Sequence, residues 1–413
     1  MRVLIIGNGG REAAIAKKLS EDSRISEMFF AKGNATTEKL GENVYITEIP
    51  ELVKFAKKEA IDLTIVGPEA PLVEGIVDEF EKEGLRIFGP GKKIARLEGS
   101  KAYAKRFMQE FGVKTANSQV FTSYVDAKAF IEKQTQFPMV IKASGLAAGK
   151  GVVIAEDENV ALTTIHEFMI DKIYGDAGIE VVIEDYLQGF EASIIAFANG
   201  KDFFPCISVK DYKKVGEGDR GANTGGMGTV APSPQFTDAH FEDFKKNILE
   251  PTLNGLKDNY LMFKGFIFFG LMITENGCYL LEYNMRSGDP ETQVLMELLD
   301  SNLLDVIDNC IEGKDIDLKF RDEKAVCLVM ASGGYPGNYD IGFEIKNLDK
   351  VSSSTVLLAG AKYKGDDIVT NGGRVVNLVA TGKTYEEARD KVYQDALTIK
   401  FDYAFYREDI AKF

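Results

Sequence analysis

Ser144-Gly145-Leu146-Ala147-Ala148-Gly149-Lys150-Gly151 is a glycine-rich run set between two apolar segments. Its glycines and its Gly-Lys pair raise the phosphate-binding P-loop, in which a glycine-rich turn leads from a strand into a helix. The spacing fails. Gly145 to Gly149 is one residue short, and Gly151 stands where Ser or Thr would hold magnesium. The context fails as well, because Val152–Ala155 is a second strand-like run. The loop therefore tips a β-hairpin whose first arm is Met139–Ala143. Such a flap can close over phosphates and exclude water. Lys142 lies within that first arm. A lysine there either snorkels outward or pairs with an anion, and the phosphate reading is favoured.

On the N-terminal side, short apolar runs alternate with helical segments: Arg2–Ile6, Phe29–Ala31, Asn43–Ile46, Leu63–Val66 and Leu85–Phe88. That alternation predicts a parallel sheet, and ligands of such sheets bind at the carboxyl ends of the strands. Gly7-Asn8-Gly9-Gly10-Arg11-Glu12 occupies one such end and Gly67-Pro68-Glu69-Ala70-Pro71 another. The first resembles a dinucleotide fingerprint, but Glu12 takes the place of its third glycine. The phosphate of a small substrate is favoured over a dinucleotide or a plain turn.

On the C-terminal side, Val181–Glu184 and Glu191–Phe197 read as an antiparallel hairpin. Its rim, Glu184-Asp185-Tyr186-Leu187, could offer backbone groups to an adenine edge, and Glu191 a carboxylate to ribose hydroxyls. Alone, this is a charged hairpin rim. Val215–Gly228 carries six glycines in 14 residues and is expected to be irregular. It follows Asp211, Lys213 and Lys214, contains Asn223-Thr224-Gly225-Gly226, and reads as a loop enclosing substrate. Asp238–Lys257 is expected to be one helix. Gly265–Ile273 and Cys278–Asn284 are strands joined through Glu275-Asn276-Gly277, a hairpin signal.

The second strand of that hairpin runs into Glu282-Tyr283-Asn284-Met285-Arg286-Ser287-Gly288-Asp289-Pro290-Glu291. Residues two apart on a strand share a face, so Glu282 and Asn284 aim two hard oxygen ligands at one point. Arg286 follows on that face if the strand persists. Magnesium favours one or two such ligands plus phosphates and waters, and an arginine beside them neutralises anionic substrate. Glu291–Leu304 is expected to be helical. Beyond it, Ala325–Ala331, Val356–Lys362 and Arg374–Thr381 read as strands and Thr384–Leu397 as an amphipathic helix. Asn371-Gly372-Gly373-Arg374 could set Arg374 against a phosphate, although a lone motif of this kind is more simply a hairpin turn.

Composition bounds these readings. The 413 residues allow two to four domains. The formal net charge of −15 disfavours nucleic acid, so anionic ligands need local Lys, Arg and N–H groups. Cys206, Cys278, Cys310 and Cys327 form no CxxC pair, and with His166 and His240 the only histidines, a zinc site is not expected. No apolar run approaches the ~20 residues of a membrane helix and no signal peptide is evident, so a cytoplasmic location is expected.

In order along the chain, GNGGRE, GPEAPL, LEGSKAYAK, KASGLAAGKGV, NTGGMG, YNMRSGDPETQ, ASGGYPG and TNGGRV resemble the ATP-grasp enzymes, and more narrowly the glycinamide ribonucleotide synthetase family. The resemblance runs from Met1 to about Ile410. It implies an α/β and α+β multidomain architecture: an N-terminal parallel α/β domain (1–98), a central ATP-grasp fold (99–318, with a mobile flap at about 120–190) and a C-terminal α+β domain (319–413). It implies joining of glycine to 5-phosphoribosylamine with ATP and Mg2+ or Mn2+, by a chain taken as a monomer with no nucleic-acid or membrane partner. Lys101 and Lys142 would hold ATP phosphates under the loop Gly145, Gly149, Lys150 and Gly151. Glu184, Tyr186 and Leu187 would meet adenine, and Glu191 the ribose. Glu282 and Asn284 would hold the metal. Arg286 and Asp289 would handle glycine, with Lys142 also catalytic. Gly9, Gly10, Glu69, Asn223, Thr224, Gly225, Gly226 and Arg374 would line the substrate pocket. The chain departs from the family's usual residues at Ala13, Ala222 and Ser287, where His, Pro and Phe are common, and lacks the usual His before Leu358-Ala359-Gly360-Ala361-Lys362.

Overall fold

The computed structural model describes residues 1–147 and 150–413. The first unit carries strands β1 (Arg2–Gly7), β2 (Glu27–Lys32), β3 (Glu42–Val44), β4 (Leu63–Val66) and β5 (Ile87–Phe88). They form a parallel sheet in the order β3-β2-β1-β4-β5. Alternate side chains of β1 feed different cores: Val3 and Ile5 pack on one face, Leu4 and Ile6 on the other. A parallel sheet covered on both faces needs such unbroken apolar strands.

The flap is a separate antiparallel sheet, ordered β6-β9-β7-β8, of β6 (Ser118–Phe121), β7 (Met139–Ala143), β8 (Val152–Ala155) and β9 (Val181–Asp185). β7 and β8 pair as the hairpin expected at the glycine loop. The expected pairing of 181–184 with 191–197 does not form. Both edges of β9 are taken by β6 and β7. β10 (Phe190–Asn199) instead joins a second sheet, β11-β10-β16-β17, with β11 (Phe203–Pro205), β16 (Lys264–Thr274) and β17 (Gly277–Asn284). Residues 192–198 of β10 are all buried, and the long strand β16 covers them in register. Tyr186–Gly189 is therefore a connector between two sheets, not a hairpin turn.

The stretch Val215–Gly228 is more regular than expected. β13 (Lys214–Gly216) and β14 (Arg220–Asn223) pair as a hairpin around Gly218 and Asp219, both at positive φ. On either side, β12 (Lys210–Asp211) and β15 (Gly228–Ala231) enter the C-terminal sheet beside β18 (Lys324–Ser332). β19 (Thr355–Leu358), β20 (Ala361–Lys364), β21 (Asp367–Thr370), β22 (Arg374–Gly382) and β23 (Ala404–Phe405) follow. The order is β12-β15-β18-β22-β19, with β23 on β18 and β20–β21 a separate hairpin. The expected strand 356–362 is thus two strands. It breaks at Gly360, where a Cβ would come within 2.6 Å of the Arg374 carbonyl.

Two expected helices are also divided. Asp238–Lys257 runs as Asp238–Phe244, a π turn Lys245–Leu249, and Glu250–Asp258. Pro251 has no N–H for the Asn247 carbonyl, which accepts the Lys114 amide at 2.9 Å instead. Glu291–Leu304 becomes Glu291–Leu298 and Leu303–Glu312, the second capped by the Asn302 side chain. All four cysteines are buried and unpaired. Among the described residues no helix is long and apolar enough to cross a membrane.

Candidate functional site

β17 brings Glu282 and Asn284 to one face while Tyr283, between them, is buried against Thr252. The strand stops at Asn284, so Arg286 does not extend that face as expected. It lies in the next loop and turns back, its Nη2 donating to Asn284 Oδ1 at 3.4 Å. Ion pairs to Glu69 (3.3 Å) and Glu98 (3.2 Å) fix it against the first unit. Among the described residues Glu282 makes no salt bridge. Burial opposes its ionisation, yet Lys213, Lys101, Lys142 and Arg286 hold its carboxyl below the usual range. An ionised carboxylate with uncommitted oxygens, beside an amide oxygen, fits a divalent cation. No group of three or more His, Cys, Asp or Glu converges among the described residues. The donor set therefore suits a cation completed by phosphates and water, not a protein-only cage.

Lysines surround this point. From the flap, Lys142 pairs with Glu184, and its Nζ donates to the Leu281 carbonyl at 3.4 Å. Lys101 donates to the Gly145 carbonyl at 3.4 Å, and burial pulls its pKa down. Lys213 donates to Glu191 Oε2 at 2.5 Å. The flap loop is pinned at its base by Gly145 N–H to the Ala177 carbonyl and Ala143 N–H to the Gly151 carbonyl. The Lys150 carbonyl accepts from Tyr174 Oη at 2.8 Å. Gly149 lies outside the described residues. Tyr186 and Leu187 sit in the inter-sheet connector.

The glycine turn after β1 differs from an open anion cradle. The Glu12 carboxylate lies inside it, accepting the Gly9 amide at 2.6 Å and Arg11 Nε at 2.6 Å. A Cβ on Gly7 or on Gly67 would strike Glu12, so this side chain fills the space between the carboxyl ends of β1 and β4. The Arg11 amide donates to Asp289 Oδ2 at 3.2 Å. A Cβ on Gly10 would meet the Gln293 and Asn377 side chains.

The third wall comes from the C-terminal sheet. Arg374 Nη1 donates to the carbonyls of Asp289 and Gly225, each at 2.6 Å, and Nη2 lies 3.4 Å from Asp289 Oδ1. Thr224 Oγ1 donates to the Lys213 carbonyl and accepts the Gly226 amide, while Gly225 N–H donates to Tyr335 Oη. Asn223 ends β14 opposite Lys214. Nearby, burial and the Glu291 charge push Asp211 well above the usual carboxylate range, and burial raises Glu291.

Lys105 and Glu98, both nearly buried charges, carry no role in the sequence reading, and Glu12 entered it only as the residue in place of a third glycine. Lys105 stands four residues after Lys101, on the same helical face, which was the available signal.

Three family models match the chain: phosphoribosylglycinamide synthetase N domain over residues 1–98, its ATP-grasp (A) domain over 99–292 and its C domain over 325–413. A phosphoribosylamine–glycine ligase of Clostridium acetobutylicum is 48% identical over 100% of both chains. The crystal structure of phosphoribosylamine–glycine ligase from Thermotoga maritima superposes with a TM-score of 0.87 at 35% identity, covering 99% of this chain and 100% of that one. The biotin carboxylase domain of Hydrogenobacter thermophilus 2-oxoglutarate carboxylase, in complex with MgADP, has a TM-score of 0.76 at 16% identity over 98% and 91% of the chains, a likeness of fold alone.

Proposed function

The chain belongs to the phosphoribosylglycinamide synthetase family, and we propose the following division of labour among its residues. The reaction is the ATP-dependent, ADP-forming ligation of glycine to 5-phosphoribosylamine in purine biosynthesis. The enzyme uses ATP and a divalent cation. The observation that carries the residue assignments is the convergence of Glu282 and Asn284, with no ion-pair partner for Glu282 among the described residues, on a point ringed by Lys101, Lys142 and Lys213.

Lys101 and Lys142 bind the ATP phosphates, and Gly145, Lys150 and Gly151 close the flap over them. Peptide groups from Glu184 to Leu187 meet adenine at the connector, with Tyr186 beside it. Glu191 takes a ribose hydroxyl in place of its contact with Lys213. Glu282 and Asn284 would hold Mg2+ or Mn2+, which supplies charge neutralisation on the phosphates.

Arg286 orients the glycine carboxylate for attack on the γ-phosphorus, with ADP leaving and glycyl phosphate forming. Asp289, ionised, holds the cationic groups of the acceptor side in place. The amine of phosphoribosylamine then attacks the acyl carbon and expels phosphate. Proximity supplies much of the rate, and the closed flap protects the acyl phosphate from water. Arg374, Glu69 and Asn223–Gly226 line the phosphoribosylamine pocket, with Gly9 and Gly10 at its floor. The chain works as a cytoplasmic monomer without nucleic-acid or membrane partners. Phosphate release in the presence of glycine, tested against other small carboxylates, is the experiment that checks this reading. Release with a different carboxylate and none with glycine would overturn it.

A further inference from the structure

Lys105 has no part in the assignments above, yet its side chain is only 3% exposed. It sits on the helix Lys101–Glu110, one turn beyond Lys101. Its Nζ lies 2.5 Å from Glu184 Oε2 and donates to Thr115 Oγ1 at 2.6 Å. Thr115 Oγ1 donates in turn to the Leu280 carbonyl at 2.6 Å, two residues before Glu282 on β17. Glu184 Oε1 pairs with Lys142, which also donates to the Leu281 carbonyl. The flap strands β7 and β9 are thus tied to β17 through one chain of charges.

The charge count gives this chain a purpose. A structural ion pair for Glu184 needs one lysine, and Lys142 already supplies it. Two ammonium groups on one carboxylate leave a net positive charge in a nearly dry place, offset by Glu282 only until that carboxylate is committed to a cation, after which an anion must complete it. Burial and the nearby Lys142 both lower the Lys105 pKa, while Glu184 and, less strongly, Glu282 oppose them. We propose that Lys105 is a positioning residue for ATP: by sharing the Glu184 carboxylate it leaves Lys142 only partly paired, available to phosphate, and in register with Glu282. Without it, Lys142 and Glu184 would form a closed neutral pair. The inference rests on the ATP reading above.

The test is a set of binding titrations with magnesium ATP, and with adenosine as the phosphate-free control. It uses the wild-type chain, Lys105→Met, Glu184→Gln, and Lys105→Met combined with Glu184→Gln. Affinity for ATP should follow the net charge of the trio. Lys105→Met should bind about tenfold or more weakly, the double variant should return toward wild type, and Glu184→Gln should bind at least as tightly as wild type. Adenosine affinity of Lys105→Met should equal that of the wild type. If Lys105→Met does not fold, the comparison of Glu184→Gln with the double variant carries the same charge difference, the former being tighter. Equal losses for ATP and adenosine, or a double variant no tighter than Lys105→Met (or, failing its folding, equal to Glu184→Gln), would overturn the proposal. A wild-type chain that binds no ATP would instead overturn the ATP reading itself.

Discussion

Glu98 Oε2 accepts the backbone amide of Met285 at 2.7 Å, while Glu98 Oε1 lies 3.2 Å from Arg286 Nη2. One carboxylate from the end of the first unit therefore fixes both the peptide that follows Asn284 and the guanidinium beside it. Glu98→Ala would leave a buried N–H and a buried cation short of a partner. The expected cost is about 3–5 kcal/mol of stability, with a loss of turnover of tenfold or more. Glu98→Gln keeps one acceptor for Met285 and should be milder. Chemical denaturation and steady-state rates measure both. Wild-type stability in Glu98→Ala would contradict the role.

Glu282→Ala should reduce turnover by at least about a hundredfold while the chain stays folded. Among the described residues its carboxylate makes no salt bridge, so its removal breaks no structural ion pair, although it leaves the surrounding lysines without that counter-charge. Raising magnesium should not restore the rate. Wild-type activity at ordinary magnesium would remove Glu282 from the metal site.

The Arg374–Asp289 contact makes a prediction about acid stability. Burial alone would raise the Asp289 pKa, but Arg374 and Arg11 hold it below the usual range. A depressed carboxylate stabilises the fold above its unfolded pKa of about 3.9, and that contribution is lost as pH falls through the folded value. Arg374→Met removes the leading opposing charge and leaves the burial. Its acid-unfolding midpoint should move to higher pH, with a loss at neutral pH of about 2–4 kcal/mol. Circular dichroism during acid titration reads the midpoint, and an unchanged or lower one would count against the account.

Arg407, with its side chain only 2% exposed, latches the 214–223 hairpin to the C-terminal segment. It donates to the Lys214 carbonyl at 2.9 Å and pairs with Asp219 and Asp409. Arg407→Ala should cost about 3–5 kcal/mol and open the hairpin to limited proteolysis between Gly216 and Gly221. Resistance to cleavage equal to wild type would show that the hairpin holds without the latch.

The parallel sheet of the first unit was legible because short unbroken apolar runs alternate with helical segments. The β7–β8 flap was legible because the P-loop spacing fails at Gly149 and Gly151 and a strand follows. The fate of β9 and β10 was not, since pairing depends on which distant strands fill the edges of β9. Nor was the recruitment of Lys210–Asp211 and Gly228–Ala231 into a sheet whose other strands begin at Lys324. Glycine content hid the 214–223 hairpin, where Gly218 and Asp219 form the turn instead of breaking the strands. At the site, Glu282 and Asn284 were readable from strand alternation. Arg286 was misplaced because nothing local signals that β17 ends at Asn284. Glu12 was read as a missing glycine, whereas its side chain is what occupies the turn.

The ligation itself is the most direct test. Purified chain should be supplied with ATP, magnesium, glycine and freshly generated 5-phosphoribosylamine, and ADP, phosphate and glycinamide ribonucleotide followed together. The three products should form in equal amounts and only when both glycine and the amine are present. ATP binding without phosphate release under these conditions, or release indifferent to glycine, would contradict it.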